Sequence, residues 1–169
     1  MRVLVAYQSS TGNTKKVAEA IYGEIRAEKT IKRISEVDDI GPFDLSFLGF
    51  PVHIYGPDKK AKEFLEKRCL PGRNVVLFVT HGSPETNPDV AEWLDKYKQA
   101  AGRANIVGVF DCQGQLAGMA KFFMRLSRDK KLRDAAKKDN SKGQPDASRI
   151  ERAREFGRET MAKFESAKP

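Results

Sequence analysis

The regular alternation of strand-like and helical stretches is the feature that most limits how this chain can fold. The most strand-like run, NVVLFVT, is rich in β-branched residues and unbroken, as expected of a strand that is buried on both faces. We predict five strands, each followed by a helix, and this order favours a parallel sheet with helices on both faces. The fold class is therefore a doubly wound α/β sandwich. Its other four strand runs are RVLVAY, KTIKRISEV, FDLSFLGF and NIVGVFD.

Several helix ends are also marked in the sequence. The first helix is expected to cover NTKKVAEAIYGEIRAE, with Asn13 or Thr14 suitable as its N-terminal cap. Pro57 lies near the first turn of the helix in PDKKAKEFLEKRC, where its missing N–H is not needed. Gly102 closes the helix in DVAEWLDKYKQAAG, and the spacing of Trp93 in that helix predicts a core or half-buried side chain.

Length and composition indicate one domain, residues 1–169, that can bury a core without disulfides or metal. A basic helix and loop segment at about 127–147 precedes the last helix, ASRIERAREFGRETMAKFE. No apolar run approaches the roughly 18 residues of a membrane span, and no secretory signal precedes the first strand, so we expect a cytoplasmic protein. Cys69 and Cys112 form no CxxC pair, so no disulfide framework and no metal site is indicated. We expect a monomer or a weak dimer.

The charge of the chain is uneven. The formal net charge is +8, and from Lys121 to Arg152 there are 11 Lys or Arg against 5 Asp or Glu, a surplus of six. Basic surfaces attract acidic proteins, nucleic acids or lipid headgroups, although a solvated helix face is the commoner meaning of such a run. The segment lacks the interleaved aromatic residues of a single-strand platform and matches no nucleic-acid motif, so we expect no nucleic-acid partner.

Ligands of doubly wound sheets bind beyond the carboxyl ends of the strands. Four loops of this chain lie at that edge: SSTGNT, PVHIYG, THGSPETNP and DCQGQ. They contain both histidines of the chain, His53 and His81, which favours contact between these residues and a ligand. Cys112 lies at the same edge and is expected to fill space at a strand end.

SSTGNT joins the first strand to the first helix. The free N–H groups and the positive dipole end of a helix N-terminus form an anion site. Gly12 lets the backbone approach a bound group, and Ser9, Ser10, Thr11 and Thr14 add hydroxyl donors. The stretch lacks the lysine of GxxxxGK[ST], the further glycines of GxGxxG and any cysteine nucleophile. It therefore predicts a hydroxyl-lined site for one terminal phosphate.

SSTGNT resembles the [ST]xTGxT phosphate loop of the flavodoxin family, which holds the phosphate of FMN, and it has the family's position after the first strand. The resemblance implies a flavodoxin-like three-layer α/β/α sandwich with strand order 2-1-3-4-5 and FMN as cofactor. Because no long insertion splits the fifth strand, the chain resembles the short-chain type. The residues implied at the phosphate are Ser9, Ser10, Thr11, Gly12, Asn13 and Thr14.

The resemblance also implies that the loops after the third and fourth strands hold the flavin ring. Familiar flavodoxins often place Trp and Tyr against the ring, and this chain departs from that pattern. Tyr55 or His53 is available to stack, and the sequence does not decide between them. The residues implied at the ring are Pro51, Val52, His53, Ile54 and Tyr55 on one side, and Thr80, His81, Gly82 and Ser83 on the other.

The function that the resemblance implies is electron transfer between partner proteins, with no catalytic residue assigned. The basic surface favours an acidic redox partner protein. The alternative is an FMN-dependent NAD(P)H or quinone-type oxidoreductase on the same fold, including one similar to protoporphyrinogen oxidase, with His53 or His81 as a proton donor. A weaker third hypothesis is an interaction module without FMN. We favour the electron carrier over a stand-alone enzyme.

Overall fold

The computed structural model describes residues 1–167, so the last two residues of the expected domain, Lys168 and Pro169, lie outside the described residues. Five strands form one parallel sheet in the order β2-β1-β3-β4-β5, which confirms the predicted strand order. The strands are β1 (Arg2–Tyr7), β2 (Glu28–Arg33), β3 (Leu45–Pro51), β4 (Asn74–His81) and β5 (Asn105–Gln113).

Helices cover both faces of the sheet, as the fold class requires. One hydrophobic cluster lies under α1 and α6, and the other lies under α2 and α3, so the predicted three-layer α/β/α sandwich is confirmed. The helices of the described chain are α1 (Asn13–Glu24), α2 (Lys59–Arg68), α3 (Asp89–Ala101), α4 (Gly118–Leu126), α5 (Lys130–Lys137) and α6 (Ala147–Ser166).

The inner strand β4 shows why residues 75–79 are apolar at every position. Val76 and Phe78 belong to the cluster under α1 and α6, whereas Val75, Leu77 and Val79 belong to the cluster under α2 and α3. Successive side chains of a strand point to opposite faces, and both faces of this sheet are covered by helices. All five side chains are fully buried. The β4 backbone is therefore a fixed platform for the loop that follows it.

The expectation that every strand is followed by a helix is wrong for β2. Residues 34–44 connect β2 to β3 with a single 3₁₀ turn, Ile34–Glu36, in place of an α-helix. The connection is short and contains Gly41 and Pro42, which favour turns over helix. The chain therefore crosses from β2 past β1 to β3 without forming an α-helix.

The first helix also differs from its predicted form. It ends at Glu24, because Ile25 takes an extended conformation and Glu28 already belongs to β2. Neither Asn13 nor Thr14 caps its beginning: the cap position is Gly12, with a φ of 91°, and the described residues provide no side-chain cap for the first turn. Only glycine adopts this left-handed conformation without strain. The start of α1 is thus left open.

The region between β5 and α6 contains two helices, α4 and α5. Strand β5 is unbroken over its nine residues, apart from a shift in its register with β4, as the sequence indicated. Helix α4 covers most of LAGMAKFFMRLS, and α5 lies within the predicted basic segment at 127–147. These two helices pack against each other at the carboxyl edge of the sheet. They form one wall of the site described next.

Candidate functional site

A cavity of about 930 Å³ lies at the carboxyl edge of β3 and β4. Its walls are the loop at 52–55, the loop at 82–89, the side chain of Trp93 from α3, and helices α4 and α5. The size falls within the range of typical small-molecule sites, roughly 300–1,000 Å³. Much of the lining is apolar, which suits a planar organic ligand.

The turn at 53–56 forms one wall and has a strained backbone. The N–H of His53 donates to the carbonyl of Gly56 at 2.8 Å, and the two residues between them, Ile54 and Tyr55, have φ angles of 42° and 67°. Positive φ at both central positions is a feature of type I′ turns, which normally use glycine, asparagine or aspartate there. A β-branched residue such as Ile54 makes this turn costly, by roughly 1–3 kcal/mol.

Two side-chain contacts hold the strained turn in place. The Tyr55 hydroxyl donates to Asp129 Oδ2 at 2.8 Å, and Lys96 Nζ donates to the Tyr55 carbonyl at 3.1 Å. Burial, the hydrogen bond to Asp129 and the negative charges of Asp129 and Asp89 together raise the pKa of Tyr55 to about 12. The phenol therefore stays protonated at neutral pH and keeps the turn attached to the residues that begin α5.

Trp93 and His81 lie behind this wall. Trp93 is buried, as its helical spacing predicted, and it also lines the cavity, with its ring centroid 6.0 Å from that of Tyr55. The His81 ring meets Trp93 edge-on at 6.1 Å and has no exposed side-chain surface. Its Nδ1 lies 2.8 Å from the Ser83 carbonyl, and its Nε2 lies 3.0 Å from Asp111 Oδ2. His81 is thus a buried bridge between two loops and does not line the cavity.

The loop after β4 is fixed to α6 through Glu85. Its carboxylate accepts two hydrogen bonds from Arg149, each at 2.7 Å, and one from Arg152 at 2.6 Å. The backbone N–H of Gln113 adds a further bond at 3.2 Å. Burial alone would raise the pKa of Glu85, but the hydrogen bonds and the positive charge of Arg149 outweigh it and lower the pKa to about 2. The charged form of Glu85 therefore holds this wall of the cavity.

The turn before α1 has the features of an anion site. Within residues 1–167, the backbone N–H groups at the start of α1 have no side-chain cap, while Ser10 and Thr11 are exposed. Ser9 Oγ accepts from the N–H of Gly12 at 3.1 Å and so shapes the turn. Asn13 Nδ2 donates to the Gln115 carbonyl at 2.8 Å, which ties the turn to the loop after β5. Free N–H groups and exposed hydroxyls are the donors that a phosphate needs.

Three of the residues expected at the ligand form bonds that connect the elements behind it. The hydroxyls of Thr14 and Thr80 lie 2.8 Å apart and share a hydrogen bond in the buried interior. The carbonyl of Pro51 accepts from the Tyr97 hydroxyl at 2.8 Å. With His81, these residues support the edge from inside. The expected ring residues that line the cavity are Val52, His53, Ile54, Tyr55, Gly82 and Ser83, and the turn at 9–14 lies outside that lining.

Sequence reasoning missed the wall that α4 and α5 supply. The lining from this region includes Leu116, Phe123, Met124 and Leu132. The strand–helix alternation does not place α4 and α5 in space. The position of these residues therefore depends on tertiary packing that no local sequence pattern shows. The available signal was the amphipathic spacing of GMAKFFMRL, which indicates a helix with an apolar face. Trp93 was expected to be a core or half-buried side chain and not a cavity residue, because a core position and a cavity position have the same helical spacing.

Within the described residues, the two cysteines and the acidic residues form no metal centre. No group of three or more His, Cys, Asp or Glu side chains in that part of the chain could hold an ion. Cys69 and Cys112 are free and buried, and burial raises the pKa of each thiol to about 12. Cys112 fills space, as expected. Over residues 1–167, no helix has the length and apolar character needed to cross a membrane.

Comparison with known proteins identifies the family that this fold and site define. The sequence model of the Flavodoxin domain matches residues 4–158, so the chain belongs to the flavodoxin family. The chain is 34% identical over 174 residues to the flavodoxin-like domain-containing protein BilS of Clostridioides difficile (strain CD3), covering 96% of this chain and 98% of that protein.

Solved structures show the same fold at lower identity. Oxidised flavodoxin 2 from Bacillus cereus has a TM-score of 0.61 at 18% identity, covering 97% of this chain and 100% of its own. A flavoprotein from Lactobacillus acidophilus NCFM, solved in complex with FMN, has a TM-score of 0.54 at 21% identity, covering 65% of this chain and 92% of its own. The flavodoxin fold inferred from SSTGNT and the strand order is therefore confirmed.

Replacing Ile54 with glycine should stabilise the protein. The change removes the left-handed strain of a β-branched residue whose side chain is 66% exposed, so little packing is lost. We expect the free energy of unfolding to rise by about 0.5–1 kcal/mol, after the greater freedom of glycine in the unfolded chain is allowed for. Urea unfolding measures the change. The control, Ile54→Val, keeps the branched Cβ and should leave stability unchanged; a loss of stability in Ile54→Gly would show that the turn is not strained.

Glu85 should make stability depend on pH in acid. Because folding lowers the pKa of Glu85, its charged form favours the folded state above the unfolded value of about 4.3, and this contribution is lost as the pH falls toward 2. At pH 7, Glu85→Gln should lower the free energy of unfolding by about 2 kcal/mol, allowing for solvent screening. The difference from the parent protein should shrink between pH 5 and pH 2 in urea unfolding. The exposed control Glu155→Gln should show no such trend, and a constant difference for Glu85→Gln would contradict the assignment.

Proposed function

We propose that this chain binds FMN and carries electrons between partner proteins. The observation that supports this most is that one sheet edge combines an uncapped helix N-terminus with an apolar cavity between the loops after β3 and β4. FMN has the two corresponding parts, a terminal phosphate and a planar ring. Membership of the flavodoxin family and the fold shared with an FMN complex add support.

The residues of the turn at 9–14 fit a phosphate. Gly12 has no Cβ to obstruct an approaching group and holds the left-handed conformation that opens the start of α1. Ser10 and Thr11 have exposed hydroxyls that can donate to phosphate oxygens, together with the first N–H groups of α1. Ser9, Asn13 and Thr14 shape and anchor the turn through their own hydrogen bonds. We assign phosphate binding to this turn.

The cavity residues fit a planar ring. FMN supplies the redox chemistry when it is bound, and the protein orients its ring and excludes water from it. Tyr55 is the better stacking residue, because its ring is partly buried and its hydroxyl is held by Asp129, whereas His53 is exposed. The side chains of Val52 and Ile54, with the backbone at Gly82 and Ser83, complete the two loops around the ring.

The surplus positive charge lies mainly outside the cavity. Two lysines line it, Lys131 and Lys138, against three aspartates, Asp89, Asp134 and Asp139. The positive charge of the surface therefore attracts approaching anionic molecules more than it stabilises negative charge on the cofactor. We propose an acidic redox partner protein, no nucleic-acid partner, a cytoplasmic location and a monomer or weak dimer.

An FMN-dependent oxidoreductase is the second candidate, and the wall formed by α4 and α5 favours it. This wall extends the apolar cavity beyond the two loops that flank the ring, which leaves space for a small molecule. His81 is a poor proton donor for such a ligand, because its side chain is buried and both ring nitrogens are occupied. His53, exposed at the cavity, is the remaining candidate donor.

The phosphate assignment predicts a difference between FMN and riboflavin, which lacks the phosphate. Replacing Ser10 and Thr11 together with alanine should weaken FMN binding about ten- to a hundredfold, because hydrogen bonds to a charged group are lost. Riboflavin affinity should not change. Flavin fluorescence titration measures both constants. The control pair Ser35→Ala and Ser148→Ala removes two exposed hydroxyls elsewhere and should leave both unchanged; equal losses for FMN and riboflavin would contradict the assignment.

Stepwise reduction of the FMN-loaded protein separates the two functions. We expect two resolved one-electron potentials and slow oxidation of NADH and NADPH by the pure protein, because a carrier exchanges single electrons with proteins. Spectroscopic titration against redox dyes measures the potentials. A single two-electron potential together with rapid NADH or NADPH oxidation would instead establish the oxidoreductase. The variant His53→Gln should leave a carrier unaffected and slow an enzyme that uses this residue as its proton donor.

A further inference from the structure

Helix α4 has an apolar face that no other part of residues 1–167 covers. Met119, Phe122, Phe123 and Leu126 follow the three- and four-residue spacing of one helix face. Their exposed fractions are 69%, 56%, 62% and 67%. Isolated exposed apolar residues are common, but a contiguous row marks an interaction surface. We name these four residues the apolar row.

The apolar row is not the side of α4 that packs on the protein. Ala120 and Met124 line the cavity, so they mark the side of the helix that faces the rest of the protein. Phe123 lies at the boundary, since it belongs to the row and also lines the cavity. The row is therefore open to solvent in the described chain, and it adjoins the candidate site directly.

The charge around α4 is strongly positive. Residues 118–142 contain nine Lys or Arg against three Asp, a surplus of six out of the net charge of +8 for the whole chain. Lys121 and Lys131 are paired with Asp139 and Asp89. In the part of the chain that the structure describes, Arg125, Arg128 and Lys130 form no ion pair, and all three are exposed. An anionic surface would therefore meet cations close to the apolar row.

We propose that α4 docks this protein on an anionic lipid surface, with the apolar row in the interfacial layer and Arg125, Arg128 and Lys130 at the headgroups. The row lies on one short helix, and exposed cations without an ion pair in residues 1–167 lie close to it. A protein partner needs matching shape, whereas a lipid interface needs only apolar area and positive charge. The nine residues of α4 lie in the plane of the interface, because they are too few to span a bilayer.

Vesicle flotation with the full-length protein tests this proposal. The vesicles contain phosphatidylglycerol mixed with phosphatidylcholine, or phosphatidylcholine alone, at low and high salt. The parent protein should float with the anionic vesicles, and salt should reduce this binding. Its affinity for the neutral vesicles should be at least about tenfold lower. The double variant Phe122→Ser with Leu126→Ser should lose about tenfold or more in affinity. Both residues are exposed and neither lines the cavity, so thermal unfolding should be unchanged.

A matched pair of charge variants separates a local from a general effect. Arg125→Glu with Arg128→Glu should weaken binding about tenfold or more, because the lost cations adjoin the apolar row. Arg26→Glu with Arg103→Glu makes the same change in net charge at the opposite, amino edge of the sheet and should weaken binding much less.

Three results would overturn the proposal. One is that the parent protein fails to float with anionic vesicles. Another is that the Phe122→Ser, Leu126→Ser variant floats as well as the parent protein. The third is that sedimentation equilibrium shows a dimer of the parent protein, which this variant converts to a monomer, while neither protein binds vesicles. That last result would assign the apolar row to a protein interface.

Discussion

The parallel register of β1, β3 and β4 is the constraint on which the site depends. Because all three strands run in one direction, their carboxyl ends meet at one edge, and Pro51 of β3 lies beside Thr80 of β4. The Val52 N–H continues this ladder to the Thr80 carbonyl at 2.7 Å, and the Thr80 hydroxyl bonds Thr14 at the start of α1. The turn at 9–14 and the cavity loops are thus fixed to one rigid frame.

Much of this frame could be predicted from the sequence, because it rests on local patterns. Buried strands have apolar runs, so the parallel α/β class was recognisable, and the resemblance of SSTGNT to the flavodoxin loop implied the strand order that the structure shows. The connection from β2 to β3 was wrongly expected to contain a helix, because the alternation of strands and helices was given more weight than the turn residues Gly41 and Pro42. The walls of the cavity were missed for another reason. The bonds Tyr55–Asp129, Glu85–Arg149 and His81–Asp111 join residues far apart in the chain, and no local pattern shows them.

Those long-range bonds hold the two walls of the site in different ways. The loop after β4 is held to α6 by a charged network around Glu85, which is stable over the neutral range. The turn at 53–56 keeps a strained shape, and its main tie to the α4–α5 region is the bond from Tyr55 to Asp129. The wall formed by the loop after β4 is therefore fixed to the α/β/α sandwich. The wall formed by the turn at 53–56 depends on two short helices whose outer surface is apolar and basic. The proposed cofactor site and the proposed docking surface therefore adjoin each other at one edge of the sheet.

A crystal structure of the protein with FMN is the most direct test of the central claim, that this edge holds FMN through an open helix start and a two-loop cavity. We predict the phosphate within hydrogen-bonding distance of the first N–H groups of α1 and of Ser10 and Thr11. We predict the ring between the loops at 52–55 and 82–85, in contact with Tyr55. A phosphate away from α1, or a ring outside this cavity, would contradict the account.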